Sequence, residues 1–262
     1  DNTYRNLYSI NINSSLNLAP EVFSRYNKTK RTWPRSRAQT GNGESEMANE
    51  AENTNLKAQI LQVAGRMFLE YGYSGTTFQK IADELNITKG SITYHFKNKF
   101  LIMEIFIDDF FNQLKAYIDS YPDEYRNIYW RYCIMYIYAY RRIMRTPRNI
   151  ELFYHKDQQT QWQTHKINMV SHIYEQIEQD FHKSYEMADL QMKAYMDMGA
   201  RSRLFSVYQE NPVSMTLDQY CYYHIYLIGA LCKLDEQTIQ ENIRAAFQFA
   251  DTHEPETNSI FQ

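Results

Sequence analysis

The hydrophobic positions of this chain recur with the period of amphipathic α-helices. Phe78, Ile81, Ala82 and Leu85, for example, fall at i, i+3, i+4 and i+7 and therefore share one face of a helix. Long stretches keep this period, and no run of alternating β-branched residues interrupts them. The pattern predicts an all-α fold.

The same period, together with turn residues, predicts the bounds of the helices. The first helix starts near Asn55 and ends at Gly72, because glycine is favoured directly after the last helical residue. The others are predicted at Phe78–Leu85, Lys89–Phe96, Lys99–Ser120, Asp123–Arg145, Lys166–Lys183 and Met187–Tyr208, then one that opens at Thr216 and a last one that contains Ile239 and Ala250. The helix from Asp123 is apolar almost all round, so we expect it to lie at the centre of the fold.

Two of these helices are short and are joined by a tight turn. Thr77 and Thr88 stand where a side-chain oxygen accepts hydrogen bonds from the free amides of the helix that follows. Asn86 tolerates the left-handed backbone that a tight turn needs. Ile92 and Phe96 are spaced i, i+4 and point toward the core that the first short helix faces. The other side chains of the second short helix must then face outward.

Those outward side chains carry hydroxyl, amine, phenol and imidazole groups, which bond phosphates and base edges. Gly90 lies in the first turn of the second short helix, where glycine costs roughly 1 kcal/mol relative to alanine. Its presence indicates that the backbone approaches something closely there, and a phosphate is the obvious candidate. We therefore predict a DNA-binding site formed by Thr77, Thr88, Lys89, Gly90, Ser91, Thr93, Tyr94, His95 and Lys99.

The charge distribution favours the same interpretation. The whole chain has a formal net charge of -3, but residues 85–103 contain Lys89, Lys97 and Lys99 and no acidic residue. Phosphate neutralisation supplies most of the non-specific affinity for DNA, so a net-acidic protein binds DNA where it concentrates basic groups. The alternative is a solvated lysine face on an ordinary helical hairpin.

These segments resemble the DNA-binding core of TetR-family transcriptional regulators, namely Ile81-Ala82, Ile87–Ile92 (ITKGSI) and Tyr94–Lys99 (YHFKNK). The resemblance covers roughly residues 55–114. It departs from the family at Thr93, where Tyr is usual, and at Phe100, where Glu is usual. The resemblance implies a sequence-specific DNA-binding regulator, a repressor, that binds double-stranded palindromic operator DNA as a homodimer.

Composition and resemblance together divide the chain into four parts. We expect an extension without its own fold over residues 1–46, a helix-turn-helix domain over 47–98, a larger helical ligand-binding and dimerisation domain over 99–253, and a tail over 254–262. The extension is rich in Asn, Ser and Thr and holds the basic run Lys28–Arg31. Three interpretations of it stay open: a basic arm that follows phosphates, a targeting or added extension, and translated sequence upstream of a start at Met47.

The larger helical domain is rich in tyrosine, with 23 tyrosines in the chain. Aromatic rings that carry hydroxyls suit a pocket for a flat or lipophilic small molecule, although a tyrosine stripe also serves as plain core. The candidate pocket residues are Tyr132, Tyr136, Tyr140, Phe153, Trp162, His165 and Tyr195. An unidentified small-molecule inducer is expected to bind there and to release the protein from DNA. Acids such as Glu175 and Glu178 leave an aromatic cation open as a ligand class.

The last two helices each carry an apolar stripe. By resemblance, the pair meets the same pair of a second subunit in a four-helix interface. The candidate interface residues are Leu217, Tyr220, Cys221, His224, Ile228, Leu231, Ile239, Ile243 and Phe247. The alternative is that both stripes close the core of the monomer.

Other classes of function find little support in the sequence. There is no GxSxG, P-loop, GxGxxG or HExxH motif, so we expect neither an enzyme nor a cofactor. Cys133, Cys221 and Cys232 lie far from any metal-ligand spacing, and their odd number favours a reducing cytoplasm. No run of 18 apolar residues predicts a membrane span. The remaining alternative is a helical interaction protein that uses the same fold to bind a protein partner.

Overall fold

A computed structural model describes residues 43–154, 160–210, 215–256 and 259–261, with side chains given from residue 54 onward except at 160–166. These residues form ten α-helices and no strand, which confirms the all-α prediction. The helices are α1 Gly43–Gly75, α2 Phe78–Leu85, α3 Lys89–His95, α4 Lys99–Asp119, α5 Ile128–Ile143, α6 Pro147–Tyr154, α7 Thr160–Asp180, α8 Met187–Glu210, α9 Leu217–Leu231 and α10 Glu236–Thr252. The predicted basic run Lys28–Arg31 lies outside the described residues.

Helix α1 differs from its predicted form at its start and agrees with it at its end. It begins at Gly43, inside the predicted extension, where the sequence GESEMANEAE is rich in good helix formers and in acids that suit a helix N-terminus. Regular helix stops at Gly72, whose φ of 76° is a conformation that glycine adopts without strain. The chain then turns into α2.

The first three helices and the start of α4 share one hydrophobic core. Ile60, Phe68, Ile81 and Ile92 are completely buried, one or two from each of α1, α2 and α3. The Phe106 ring of α4 lies edge-on to Phe68, with ring centroids 6.3 Å apart. This packing fixes the orientation of α3 relative to α1 and α4.

Helix α5 is the centre of the second part of the chain. Tyr129, Ile134, Ile137 and Ala139 are completely buried, as the all-round apolar pattern predicts. The helix packs mainly against α10 and α9 and also contacts α7. It begins at Ile128 and not at Asp123, because residues 122–124 form a 3-10 turn.

One other helix start differs from its prediction, and one helix was not predicted. Helix α6 was missed because its eight residues offer only two turns of pattern; it opens at Pro147, with Thr146 accepting a hydrogen bond from the Asn149 amide at 3.1 Å. Helix α7 begins at Thr160, earlier than the predicted Lys166. The capping box of α9 is confirmed, since the Thr216 hydroxyl accepts from the Gln219 amide and the Thr216 amide donates to Gln219 Oε1.

The chain divides into two compact units. The first ends at Phe110 and also takes in Glu151–Phe153 and the last residues of the chain, and the second comprises Phe111–Ile150 and Tyr154–Glu256. The boundary falls inside α4, after the predicted boundary at residue 98. Helix α4 therefore contributes residues to both units.

Two general properties of the described residues bear on the functional class. None of the helices in this part of the chain is long and apolar enough to cross a membrane. Cys133, Cys221 and Cys232 are free thiols with 1% or less of their surface exposed, so they serve as small buried hydrophobes.

Candidate nucleic-acid interface

The turn between α2 and α3 has the geometry that its sequence predicts. The Thr77 hydroxyl accepts a hydrogen bond from the Lys80 amide at 3.2 Å, and the Thr88 hydroxyl accepts from the Ser91 amide at 3.1 Å. Asn86 adopts the left-handed conformation, with φ 53° and ψ 39°. Both caps and the turn are confirmed, and together they hold α3 at a fixed angle to α2.

The two sides of α3 differ sharply in exposure. Ile92 is completely buried and Phe96 is 2% exposed, whereas Tyr94 on the opposite side is 78% exposed. Of the predicted contact residues, the exposed ones are Thr77, Thr88, Lys89, Gly90, Thr93 and Tyr94, and the half-buried ones are Ser91 and His95. We call Thr88–His95, without the buried Ile92, the outer face of α3. The structure therefore places the predicted residues of α3 on one continuous surface.

Gly90 is exposed, and the protein's own packing does not require a glycine there. A Cβ at this position would lie 3.4 Å from Thr88 Oγ1, an ordinary contact. The Gly90 carbonyl oxygen accepts a hydrogen bond from the Thr93 hydroxyl at 3.0 Å, which lies within the helix. The space around Gly90 within the chain would therefore accommodate an alanine.

Lys99 requires a correction. Its ammonium group donates hydrogen bonds to the carbonyl oxygens of Tyr73 and of Thr76, the latter at 2.7 Å, and it lies 4.0 Å from the centroid of the Tyr73 ring. Lys99 thus binds the start of α4 to the turn between α1 and α2. We replace the predicted DNA contact at this residue by a structural role, because its charge faces the backbone of that turn.

One basic residue near α3 was not identified from the sequence. The Lys57 ammonium of α1 lies 5.7 Å from the centroid of the Phe96 ring. Partial burial and then the charge of Lys57 lower the pKa of His95, so His95 is neutral near pH 7 and offers one donor and one acceptor. Lys57 is more than thirty positions away in sequence, so only the fold reveals this neighbour.

The second unit contains a buried group of polar side chains, which we call the core polar cluster: Tyr140, Tyr174, Asp197, Arg201 and His224. The residues come from α5, α7, α8 and α9. The Asp197 carboxylate binds the Arg201 guanidinium, and Asp197 Oδ1 lies 3.2 Å from His224 Nε2. The His224 ring lies edge-on to the Tyr140 ring at 5.4 Å between centroids. Tyr136 adds a further aromatic wall, 4.5 Å from the His224 ring centroid.

The charges of this cluster balance. Burial alone would raise the pKa of Asp197, but the neighbouring Arg201 charge and His224 lower it to about 2, so Asp197 is ionised. Burial and then the Arg201 charge lower the pKa of His224 to about 4, against the effect of Asp197, so His224 is neutral at pH 7. One carboxylate and one guanidinium remain, and their formal charges cancel.

Several polar atoms of the core polar cluster have no hydrogen-bond partner among the described side chains and backbone. They are Asp197 Oδ1, Arg201 Nε, both ring nitrogens of His224, and the hydroxyls of Tyr140 and Tyr174. Asp197 Oδ1 and His224 Nε2 are 3.2 Å apart, but their relative direction is not that of a hydrogen bond. Buried polar atoms without partners cost roughly 1–3 kcal/mol each, so such a concentration is typical of a functional site.

The predicted pocket residues lie in different parts of the structure. Tyr136 and Tyr140 line the core polar cluster. Tyr132 lies on the same helix and donates a hydrogen bond to Gln176. Phe153 belongs to the first unit, where its ring packs against Phe261, and Tyr195 is 56% exposed, so neither is part of the core polar cluster. The side chains of Trp162 and His165 lie outside the described residues.

The predicted dimer residues also need a correction. Among them Tyr220, Cys221, His224, Ile228, Ile239 and Ile243 are at most 3% exposed within the single chain. Their stripes pack on α5, where the Tyr129 hydroxyl donates to the Ile225 carbonyl oxygen at 2.8 Å. These six residues cannot meet a partner, and the alternative of a closed monomer core is correct for them. Leu217, Leu231 and Phe247 remain partly exposed.

Two threonine caps hold a helix-turn-helix, and its second helix presents a polar and basic face. This arrangement is typical of a helix-turn-helix DNA-binding domain. Residues 60–101 match the family of bacterial regulatory proteins named tetR. This part of the chain is therefore similar to the DNA-binding region of the tetR family.

Curated relatives match the same region. The HTH-type transcriptional repressor KstR2 of Mycolicibacterium smegmatis is 39% identical over 56 residues, which are 21% of this chain and 27% of that protein. The probable acrEF/envCD operon repressor of Escherichia coli K12 is 39% identical over 49 residues, 19% of this chain and 22% of the relative. The biofilm operon regulator IcaR of Staphylococcus epidermidis is 39% identical over 57 residues, 22% of this chain and 31% of the relative.

The chain thus spans only about a quarter of the length of these relatives. The crystal structure of Mycobacterium smegmatis AmtR covers 86% of this chain and all of its own, at 14% identity and a TM-score of 0.37. This similarity is too low to assign the second unit.

Proposed function

We propose that this protein is a transcriptional repressor of the cytoplasm that binds operator DNA through α3. The observation that carries the proposal is the outer face of α3, a set of exposed or half-buried hydroxyl, amine and imidazole groups without an acidic residue, on a domain similar to the tetR family. Hydroxyl and amine groups bind phosphates and base edges in the major groove. The relatives that match this domain are themselves named as repressors or negative regulators.

We propose further that the protein acts as a homodimer on a palindromic operator. Two copies of α3 would then meet successive major grooves, roughly 34–36 Å apart. The outward side of α9 supports a self-contact, since Tyr223 is 50% exposed and Leu227 and Ala230, on the same side, retain exposed surface. This set replaces the buried residues of the sequence-based prediction.

We propose, finally, that a bound small molecule releases the protein from DNA. The core polar cluster offers a binding site in the second unit, and α4 contributes residues to both units. A ligand shifts the protein toward the state that does not bind DNA only if its affinity for the two states differs. The proposal therefore requires reciprocal coupling, in which DNA binding weakens ligand binding by the same factor.

A helical interaction protein is the rival interpretation. In the rival case the outer face of α3 would bind a protein, and Thr93, where the family usually has Tyr, would reflect loss of DNA contacts. Binding to DNA that depends on salt and on the charges of α3 distinguishes the two.

The test is selection of genomic DNA fragments with the purified full chain, followed by binding to the enriched site. We expect enrichment of a palindromic site, and we expect the double variant Lys89→Glu with Lys97→Glu to lose binding. The control is Lys115→Glu with Lys183→Glu, which makes the same change of charge on α4 and after α7 and should leave binding unchanged. Absence of an enriched palindrome, or equal binding by both double variants, would refute the repressor proposal.

A further inference from the structure

The core polar cluster is unusual because it combines complete burial with unused hydrogen-bonding atoms. His224 has none of its surface exposed and Asp197 has 1%, yet both ring nitrogens of His224 and Oδ1 of Asp197 have no hydrogen-bond partner among the described residues. A hydrophobic core gains nothing from such groups, since each has lost its hydrogen bonds to water. They need a polar partner.

The unused atoms offer both donors and acceptors. Asp197 Oδ1 can only accept, and Arg201 Nε can only donate. Neutral His224 has one ring nitrogen of each kind, and the Tyr140 and Tyr174 hydroxyls can do either. A partner that satisfies them must therefore have a donor and an acceptor close together.

The charge of the site selects against ionic partners. The Asp197 carboxylate already binds the Arg201 guanidinium, so a cation would have to compete with Arg201 and an anion with Asp197. The two acids that the sequence suggested for a cationic ligand also have basic neighbours, since Glu178 binds the Lys193 ammonium and Glu175 lies 2.9 Å from His172 Nδ1. A net neutral site that is closed to water binds a charged group only at a large desolvation cost.

Aromatic rings surround these polar atoms. The Tyr136 and Tyr140 rings lie 4.5 Å and 5.4 Å from the His224 ring, and the Arg201 guanidinium lies 5.3 Å from the Tyr136 ring centroid. The Tyr220 ring extends the wall, 4.9 Å from Tyr140. Flat faces of this kind favour a planar framework next to the polar group.

We propose that the core polar cluster binds a small uncharged planar molecule that carries an amide-type group, with a donor and an acceptor side by side, paired with Asp197, His224 and Arg201. This inference deepens the proposed function and rests on it in one respect only, namely that the bound molecule acts as the effector. Binding itself does not depend on DNA.

The test uses three probes that share a ring and differ in charge: benzamide, benzoate and benzylamine. Titration calorimetry on the full chain without DNA should show binding of benzamide and much weaker binding of the two ions. His224→Phe keeps the ring and removes both nitrogens, so benzamide binding should fall by roughly tenfold or more. The control His172→Phe makes the same change on the exposed surface of α7 and should bind as the original chain does.

A second variant covers the case in which His224→Phe does not fold. Tyr140→Phe removes one buried hydroxyl and leaves the ring packing, and it should also weaken benzamide binding. The proposal is overturned if benzoate or benzylamine binds better than benzamide, if none of the three binds at millimolar concentration, or if both variants bind benzamide as well as the control. Benzamide binding that leaves DNA affinity unchanged supports this inference and contradicts only the effector role in the proposed function.

Discussion

The Lys99 ammonium donates a hydrogen bond of 2.7 Å to the Thr76 carbonyl oxygen, and so attaches α4 to the turn that precedes α2. Lys99 also binds the Tyr73 carbonyl oxygen and lies over the Tyr73 ring. The charge of Lys99 therefore stabilises the domain that presents α3. Lys89, in contrast, is exposed on the outer face of α3.

Because Lys99 and Lys89 differ in this way, two matched variants should differ in stability and in DNA binding. Lys99→Met should lower the free energy of unfolding by about 1–3 kcal/mol, because two carbonyl oxygens lose a charged donor. Lys89→Met should leave stability within about 0.5 kcal/mol and reduce the salt dependence of DNA binding. Urea unfolding and DNA titrations at several salt concentrations measure both. Equal stability of the two variants would contradict the structural role of Lys99.

Gly90 gives a variant in which stability and DNA binding change in opposite directions. Gly90→Ala should keep or raise stability by up to about 1 kcal/mol, since the new Cβ makes only an ordinary contact with Thr88 Oγ1 and alanine favours the helix. DNA binding should weaken roughly tenfold, because the methyl group occupies the space of an approaching phosphate. The measurements are thermal unfolding and operator binding.

The control for this prediction is Gly199→Ala on α8. A Cβ at Gly199 meets no described atom within 4 Å, so this variant should gain similar helix stability without any effect on DNA binding. If Gly90→Ala and Gly199→Ala bound operator DNA equally well, the close approach of a phosphate at Gly90 would be excluded.

Some of these features could be predicted from the sequence because the physics that fixes them is local. The Thr77 and Thr88 caps and the left-handed Asn86 each involve atoms within four residues. The role of Lys99 could not be predicted, because its carbonyl partners lie 23 and 26 positions away. A lysine in an acid-free segment gives the same sequence pattern whether it faces a phosphate or a backbone turn.

In the second unit, the sequence likewise could not predict the surroundings of His224 and Asp197. The period of α9 correctly places His224 on an apolar stripe, but a period does not say whether the stripe meets α5 or a second copy. Asp197 and Arg201 are an i, i+4 pair, which in most helices lies on the surface. Only the packing of α5, α7 and α9 around this pair makes it a buried site.

The buried, neutral His224 makes stability depend on pH. Its pKa is about 4 in the folded chain, below the ordinary value of 6.5, so the unfolded chain binds more protons between these values. Stability is therefore full above pH 6.5 and falls as the pH drops toward 4, by on the order of 3 kcal/mol for this one group. Asp197, with its pKa lowered to about 2 from 3.8, adds a loss only below pH 4.

The measurement is urea unfolding of the original chain and of His224→Phe between pH 7 and pH 4.5. The original chain should lose stability over this range, and the variant should lose clearly less, because phenylalanine takes up no proton. His172→Phe, at an exposed site, should follow the original chain. A variant that keeps the whole pH dependence would show that His224 is not its source.

A single substitution at Tyr223 tests the proposed contact between two copies through the outward side of α9. Tyr223→Glu adds a charge to the outward side of α9 and should convert the proposed dimer into a monomer, while the fold is retained because half of this side chain is already in solvent. The matched control is Tyr195→Glu on α8, a tyrosine of similar exposure, 56% against 50%. Sedimentation equilibrium of both variants measures the mass of the assembly. If Tyr195→Glu separates the copies and Tyr223→Glu does not, the interface lies on α8, whose exposed Met192 and Met196 would then form the contact in place of α9.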